Sequence, residues 1–199
     1  MWEGEVAVAV VDMAGWVKRW ADAYNYPHDQ QLAPLRGKPE LDAADRELLA
    51  RWKFGSYRPR LARILSLLAG NDQGWADELT RRALACDDDL GAWLIAQRIG
   101  GVGPALASTM LMAHDPEQFT VIDERAFRSI QVLARTGSLS DGGVASGRLA
   151  QGARLTQART WLAYLRACRV LAVTTGQSLR DVDRALYQAN GQAALPPSR

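Results

Sequence analysis

Apolar residues recur every three or four positions along most of the chain, and polar residues fill the positions between them. This spacing places the apolar side chains on one face of an α-helix, so it predicts amphipathic helices packed around a common core. No segment shows the strict alternation of a half-buried β-strand, and no internal repeat stands out. The pattern therefore predicts an all-α protein.

Turn-forming residues between the periodic stretches divide the chain into helices. Capping residues such as Asp42 and Ser178 mark where several of the helices begin. The predicted helices cover residues 3–26, 42–53, 57–68, 72–85, 90–98, 104–113, 123–135, 155–173 and 179–189, with Ser56 as the expected cap of the third. Residues 27–40 are predicted to form a connecting loop, 136–153 a flexible Gly-rich loop, and 190–199 a loose tail.

The composition is typical of one compact unit spanning residues 1–199. With 48% hydrophobic residues and seven Trp, the chain is long enough to bury a core without disulfides. Cys86 and Cys168 lie far apart and outside any Cys-x-x-Cys pair, which disfavours a zinc site or a disulfide scaffold and suits a reducing cytoplasm. No signal peptide or membrane span is expected, because the apolar run at 6–11 is short and flanked by acids.

The charge balance gives no clear sign of the partner. A net charge of +2 does not by itself indicate nucleic acid. Only three of the 24 basic residues are lysines; the excess of Arg fits bidentate phosphate contacts, but a GC-rich genome gives the same bias. The densest basic cluster is Arg51, Lys53, Arg58 and Arg60, for which phosphate contact and a solvated basic face are both open.

One stretch, from Ile99 to Ile130, carries the candidate chemistry. It begins with a turn in which Gly101 and Gly103 flank Val102, and Pro104 then opens an apolar helix. Glycines allow backbone angles and close approaches that a Cβ would block. N–H groups at the start of a helix form an anion site, most often for phosphate. The alternative is a tight helix–helix turn that binds no ligand.

The turn and the residues after it resemble the helix-hairpin-helix (HhH-GPD) DNA glycosylase superfamily. The resemblance rests on the Gly-Val-Gly turn, on Ala107 four residues after Gly103, and on a Val-Ile-Asp sequence ending at Asp123, 20 residues after Gly103. It implies an all-α fold of two helical lobes with a cleft between them. The implied boundaries are 90–113 for the hairpin, about 40–135 for lobe one, and about 1–26 with 154–189 for lobe two.

The resemblance also implies a role for Asp123. In this superfamily an Asp at the head of the helix after the hairpin stabilises the cation that forms on the sugar as the base leaves, and it positions or deprotonates a water. The other interpretation of Asp123 is a plain N-cap, the commonest reason for Asp to open a helix. Glu124 and Arg125 differ from the Thr-His often found after this Asp, so the substrate class stays open.

The hairpin residues Gly101, Val102, Gly103 and Ala105 are implied to bind a DNA phosphate through main-chain N–H groups. Superfamily members that also cut the DNA backbone carry a Schiff-base Lys at the position of Ala105. This chain is therefore expected to hydrolyse the base–sugar bond and leave an abasic site. Lys53 is an alternative amine, but a solvated position on its helix is expected.

An extruded base needs a pocket with stacking surfaces and matched polar groups. The candidates for base pocket or DNA contact are Trp52, Lys53, Tyr57 and Arg58, and Trp75 and Trp93 are further aromatic candidates; each aromatic also fits the core. His28 and His114 have no partners at metal-ligand spacing, and the chain lacks four cysteines for an iron–sulfur cluster. No metal or other cofactor is expected.

Together these features predict a monofunctional DNA N-glycosylase that removes an altered base from duplex or single-stranded DNA. It is expected to act as a monomer, away from membranes, in the cytoplasm near the nucleoid. The alternatives are a non-catalytic helix-hairpin-helix DNA-binding protein and a structural hairpin in a protein–protein module. The base itself stays open among alkylated, oxidised, deaminated and modified phage bases.

Overall fold

The computed structural model describes residues 12–26, 28–135, 149, 154 and 156–192. All regular secondary structure in these ranges is helical, which confirms the all-α prediction. The helices are α1 (Met13–Asp22), a 3-10 segment (Asp29–Leu35), α2 (Ala43–Phe54), α3 (Arg58–Ala69), α4 (Gln73–Leu84), α5 (Asp89–Ala96), α6 (Pro104–His114), α7 (Glu124–Arg135), α8 (Ala158–Thr175) and α9 (Leu179–Ala189). The first residues of the predicted N-terminal helix, nearly all of the predicted loop at 136–153 and most of the predicted tail lie outside the described residues.

Local capping explains where several helices begin and end. The Asp42 carboxylate accepts a hydrogen bond from the Asp45 N–H, and the Asp45 carboxylate accepts one from the Asp42 N–H, which forms a reciprocal capping box on α2. The Ser178 hydroxyl accepts from the Asp181 N–H and so caps α9. Gly176 ends α8 with a φ of 65°, a left-handed conformation that glycine adopts without steric cost. These residues confirm the predicted helix boundaries.

The start of α3 differs from the prediction. Tyr57, not Ser56, occupies the N-cap position, and no side chain caps this helix. The Tyr57 N–H donates instead to the carbonyl of Phe54 at 2.8 Å, so the chain turns before the helix begins. Pro59 in the first turn has no N–H, so a capping serine would find one hydrogen-bond donor fewer at this helix start.

The segment predicted as a plain loop, 27–40, contains the 3-10 segment Asp29–Leu35. Leu32 and Leu35 are both buried, and their spacing of three residues matches the three residues per turn of a 3-10 helix. Burial of this leucine pair gives the segment an ordered helical turn, so the loop prediction is wrong here.

The end of α1 also differs from the prediction. The helix begins at Met13, where the Asp12 carboxylate caps it, and it stops at Asp22, whereas the predicted helix ran from 3 to 26. Tyr24 and Tyr26 lie beyond it, and the Tyr26 hydroxyl donates to the carbonyl of Trp52 on α2 at 2.8 Å. This tertiary contact, together with a proline at 27 that disfavours helical backbone before it, ends α1 early.

α9 packs against α1, α7 and α8, so the first described helix joins the C-terminal helices. α6 packs against α2, α4, α5 and the 3-10 segment, and its residues from Leu106 to Ala113 are all buried. Trp93 on α5 stacks on Trp161 on α8 with ring centroids 4.9 Å apart, which links these two groups of helices. No helix in the described ranges is long and apolar enough to cross a membrane.

Candidate functional site

The hairpin helix α6 holds the segment that leads to Asp123. The Ser108 hydroxyl donates to the carbonyl of Ala105 at 2.9 Å and accepts a hydrogen bond from the Ile122 N–H at 2.9 Å. Val121 and Ile122 are buried, so the segment before Asp123 is fixed by both packing and hydrogen bonding. The position of Asp123 is therefore tied to the start of α6.

Asp123 uses its two carboxylate oxygens differently. Oδ1 accepts a hydrogen bond from the Arg125 N–H at 2.8 Å and so caps the start of α7, in agreement with the N-cap interpretation. Oδ2 accepts a hydrogen bond from the Nζ of Lys53 at 3.2 Å. One oxygen thus supports the helix, while the other forms an ion pair in the interior of the site.

Lys53 is not the solvated residue that the sequence predicted. Its side chain is 12% exposed, and it reaches from α2 to a carboxylate 70 residues further along the chain. Burial lowers the pKa of the Lys53 amine below its ordinary value, and the nearby Asp123 carboxylate opposes that shift only in part. A larger fraction of the Lys53 side chain is therefore in the neutral amine form at a given pH than for a surface lysine.

A cavity of about 250 Å³, which we call the aromatic cavity, opens beside this ion pair. Its walls are rich in aromatic rings and charged groups. Its lining residues are Tyr24, Tyr26, Trp52, Lys53, Ser56, Val121, Asp123, Arg125, Arg180, Asp183, Arg184 and Tyr187. The rings of Tyr26 and Trp52 meet edge to face at 5.4 Å, as do those of Tyr24 and Tyr187 at 5.8 Å. The cavity combines flat apolar surfaces with polar groups, which is what a planar heterocycle requires.

Buried charges on α9 form the floor of the cavity. The Arg180 guanidinium donates to the Asp183 and Asp29 carboxylates, and Arg184 also donates to Asp29 at 2.7 Å. Arg180 and Asp183 are 8% and 4% exposed, so their mutual pairing offsets the cost of burying each charge. Burial raises the pKa of the Asp183 carboxyl, while the Arg180 and Lys53 charges oppose the rise.

Sequence reasoning missed the α9 and tyrosine residues of the cavity. One signal for them exists, because the polar and aromatic residues of α9 recur at helical spacing on a single face: Arg180, Asp183, Arg184 and Tyr187. In an isolated helix such a face is normally exposed to solvent. In the structure Arg180 and Asp183 on this face are buried, and the opposite face carries the buried Val182, Ala185, Leu186 and Ala189.

The glycine turn between α5 and α6 has the backbone geometry that its sequence requires. Gly101 has a φ of 88°, and a Cβ at this position would lie 3.0 Å from the carbonyl oxygen of Ile64 on α3. Val102 is 4% exposed, so its side chain belongs to the core. Gly103 is the N-cap of α6 and has no side-chain capping bond. Within the described part of the chain, the N–H of Ala105 has no hydrogen-bond partner.

A second cavity, of about 450 Å³, surrounds this turn. Three arginines line it together with the turn residues: Arg60, Arg63 and Arg98. Arg60 belongs to the basic cluster seen in the sequence, whereas Arg63 and Arg98 were not singled out there. Main-chain N–H groups at a helix start and nearby guanidinium groups are the two features that bind phosphate.

A third cavity, of about 960 Å³, lies between the other two. It shares Lys53, Asp123 and Arg125 with the aromatic cavity, and Phe54, Arg60 and Ala105 with the cavity at the glycine turn. Arg128 and Arg154 also line it, and Arg128 forms an exposed ion pair with Glu124, a further lining residue, at 3.7 Å. We call the second and third cavities together the arginine groove. Asp123 and Lys53 lie where this groove meets the aromatic cavity.

The structure separates the predicted pocket residues. Trp52 and Lys53 line the aromatic cavity, but Tyr57 and Arg58 do not. Tyr57 is 60% exposed at the start of α3. Trp75 is 45% exposed and Trp93 is in the core, stacked on Trp161, so neither belongs to this cavity. Arg51 pairs with Glu47 on the exposed side of α2.

Cys86 and Cys168 are free thiols, and no group of three or more potential metal-ligating side chains occurs among the residues that the structure describes. No protein-family model matches the chain, and no curated protein or solved structure shows significant similarity to it.

Proposed function

We propose that the protein is a DNA N-glycosylase that hydrolyses the bond between an altered base and its deoxyribose. The observation that carries this proposal is the position of Asp123, whose Oδ2 lies where the aromatic cavity meets the arginine groove. A carboxylate beside a base-sized cavity and a phosphate-binding surface is the arrangement that base removal requires.

The arginine groove supports binding to a polyanion. Arg60, Arg63 and Arg98 surround the glycine turn, and Arg128 and Arg154 continue the positive charge toward Asp123. A DNA backbone placed along this groove would put one phosphate at the start of α6 and the next sugars near Asp123. In a two-lobe helix-hairpin-helix glycosylase fold, the hairpin and Asp123 would both line the cleft between the lobes.

The aromatic cavity supports the extrusion of a base. Trp52 and the three tyrosines supply stacking surfaces, and Asp183, Arg184 and Ser56 supply polar groups for the edges of the base. With the base in this cavity, its sugar lies at the entrance, beside Asp123. As the bond to the base breaks, positive charge forms on the sugar, and the Asp123 carboxylate stabilises it and directs a water to the same carbon.

A base-release assay tests this proposal. Purified protein is incubated with duplex and single-stranded oligonucleotides, each carrying one altered base, and alkali then reveals abasic sites. Asp123→Asn retains an oxygen that can cap α7 but lacks the negative charge, so we expect DNA binding to persist and base release to fall by about 10²- to 10⁴-fold.

Asp72→Asn is the matched control, because Asp72 is the N-cap of α4 and accepts from the Trp75 N–H at 2.8 Å, away from the cavity. This variant is expected to release base at the wild-type rate. Base release that is unchanged in Asp123→Asn contradicts the proposal. DNA binding without release from any substrate favours a non-catalytic DNA-binding protein, and the absence of salt-dependent DNA binding favours a protein–protein module.

A further inference from the structure

Lys53 is a charged group of the site whose limited exposure the proposed reaction leaves unexplained. Lysine side chains are rarely buried, because the ammonium loses its hydration. Lys53 nevertheless lines both the aromatic cavity and the arginine groove, between the buried Trp52 and Phe54 of α2. A polar group with such limited exposure at the meeting point of two cavities is suited to contact the bound molecule.

We propose that Lys53 is a nucleophile toward the aldehyde of an abasic deoxyribose, which gives the protein a DNA strand-cleaving activity. The inference rests on the proposed function, because base removal is what places an abasic sugar beside Asp123. The Nζ of Lys53 lies 3.2 Å from Oδ2 of Asp123, so a sugar carbon within reach of the carboxylate is also within reach of the amine.

The sequence predicted hydrolysis alone because Ala105 replaces the lysine that lyases in the resembled superfamily carry at that position. The structure brings an amine to the same site from a different element, α2. Ala105 lines the arginine groove together with Lys53, so the two positions share one cavity. The absence of an amine on the hairpin helix therefore does not leave the site without one.

The chemistry needs no cofactor or oxidant. The neutral Lys53 amine adds to C1′ of the ring-opened abasic sugar, and loss of one water gives an imine. A base, for which Asp123 is in place, removes a proton from C2′; the electrons form the C2′–C3′ double bond while the C3′–O bond breaks, and the 3′ phosphate leaves with the electron pair. Water then hydrolyses the imine, which returns the amine and releases the unsaturated aldehyde end.

Three charged groups set the protonation of Lys53. Asp123 at the start of α7 and Asp183 on α9 favour the ammonium, whereas Arg180 on α9 and burial favour the neutral amine. Burial is the largest of these effects, and it lowers the pKa of Lys53 below the ordinary lysine value of 10.5. The pH at which imine formation reaches half of its maximum rate should therefore be lower than the corresponding pH for a surface lysine.

Borohydride trapping on a duplex that already contains an abasic site tests the inference without any base-release step. Reduction converts the imine into a stable amine and leaves a covalent protein–DNA adduct. We expect wild-type protein to form this adduct and to cut the strand without alkali. Mass spectrometry should locate the adduct on the peptide that contains Lys53. Lys53→Arg should lose the adduct, because a guanidinium forms no such imine under these conditions.

The chain offers matched controls, since its other two lysines are Lys18 and Lys38. Lys18 pairs with Asp22 on the exposed side of α1, and Lys38 pairs with Asp45, so Lys18→Arg and Lys38→Arg should trap like wild type. Peptide mapping uses the wild-type protein and stays informative even if Lys53→Arg folds poorly.

An adduct that maps to another amine, persists in Lys53→Arg, or fails to form with wild-type protein overturns the inference. The two proposals fail separately. If base is released but no adduct is trapped, Lys53 is not a nucleophile and the glycosylase proposal stands. If an adduct forms on the abasic duplex but no substrate releases its base, the glycosylase proposal is rejected and the reactive amine stands.

Discussion

Replacement of Gly101 by Ala tests whether the glycine turn has the geometry that phosphate binding requires. Gly101 has a φ of 88°, and a non-glycine residue in the left-handed region costs about 1–2 kcal/mol. Its Cβ would also lie 3.0 Å from the Ile64 carbonyl oxygen, 3.0 Å from the Leu67 Cβ and 3.2 Å from the Leu68 nitrogen. These atoms belong to α3, so the helix would have to move.

Such overpacking typically costs about 1–3 kcal/mol, so the free energy of unfolding should fall by at least about 2 kcal/mol in Gly101→Ala. For a chain of this length that loss corresponds to a melting temperature lower by at least about 4 °C. The displaced α3 also carries Arg60 and Arg63, so DNA binding should weaken along with stability.

Gly103→Ala is the control for this substitution. Gly103 has an extended backbone with a φ of −89°, and a Cβ there would have no neighbour within 4 Å. The fold should therefore keep its stability, or gain about 0.4–1 kcal/mol because the unfolded chain loses freedom. The new methyl group would stand in the space that a phosphate enters, so DNA affinity should still fall.

Differential scanning calorimetry and a DNA titration on both variants separate the two effects. The reasoning about backbone strain is refuted if Gly101→Ala melts at the wild-type temperature. Wild-type DNA affinity in Gly103→Ala would show instead that no phosphate approaches the turn.

Two further predictions concern charged groups. Arg180→Ala leaves the buried Asp183 without its partner and should lower the free energy of unfolding by about 3–5 kcal/mol in urea denaturation. Lys18→Ala removes an exposed pair and should cost less than about 1 kcal/mol, so equal losses would contradict the difference in burial. Arg98→Gln should weaken DNA binding to all sequences alike and reduce the slope of log K against log salt by about one; an unchanged slope would remove Arg98 from the phosphate-binding surface.

The helical architecture was largely readable from the sequence. Hydrophobic spacing located all nine α-helices of the described ranges, and caps such as Asp42 and Ser178 marked where several of them begin. These signals work because they are local: a helix face and a cap depend on residues three or four positions apart. The 3-10 segment was missed because its two buried leucines form too short a pattern to indicate a helix.

The glycine turn and Asp123 were also found from local sequence, since both depend on a helix start. What the sequence did not disclose is the environment of Asp123. Its partner Lys53 lies 70 residues before it in the chain. The arginine and tyrosine residues of α9 that line the same cavity lie nearly as many residues after it.

The sequence by itself determined which segments form α-helices, where most of them begin, and that Asp123 opens a helix after a glycine turn. Only the tertiary structure decided that Lys53 packs against Asp123 with little exposure, that Trp52 faces a cavity while Tyr57 faces solvent, and that Arg180 and Asp183 on the polar side of α9 are buried. The physical reason is that periodicity shows which residues share a helix face. The burial of that face, and with it the pKa of its charged groups, depends on which distant helices pack against it.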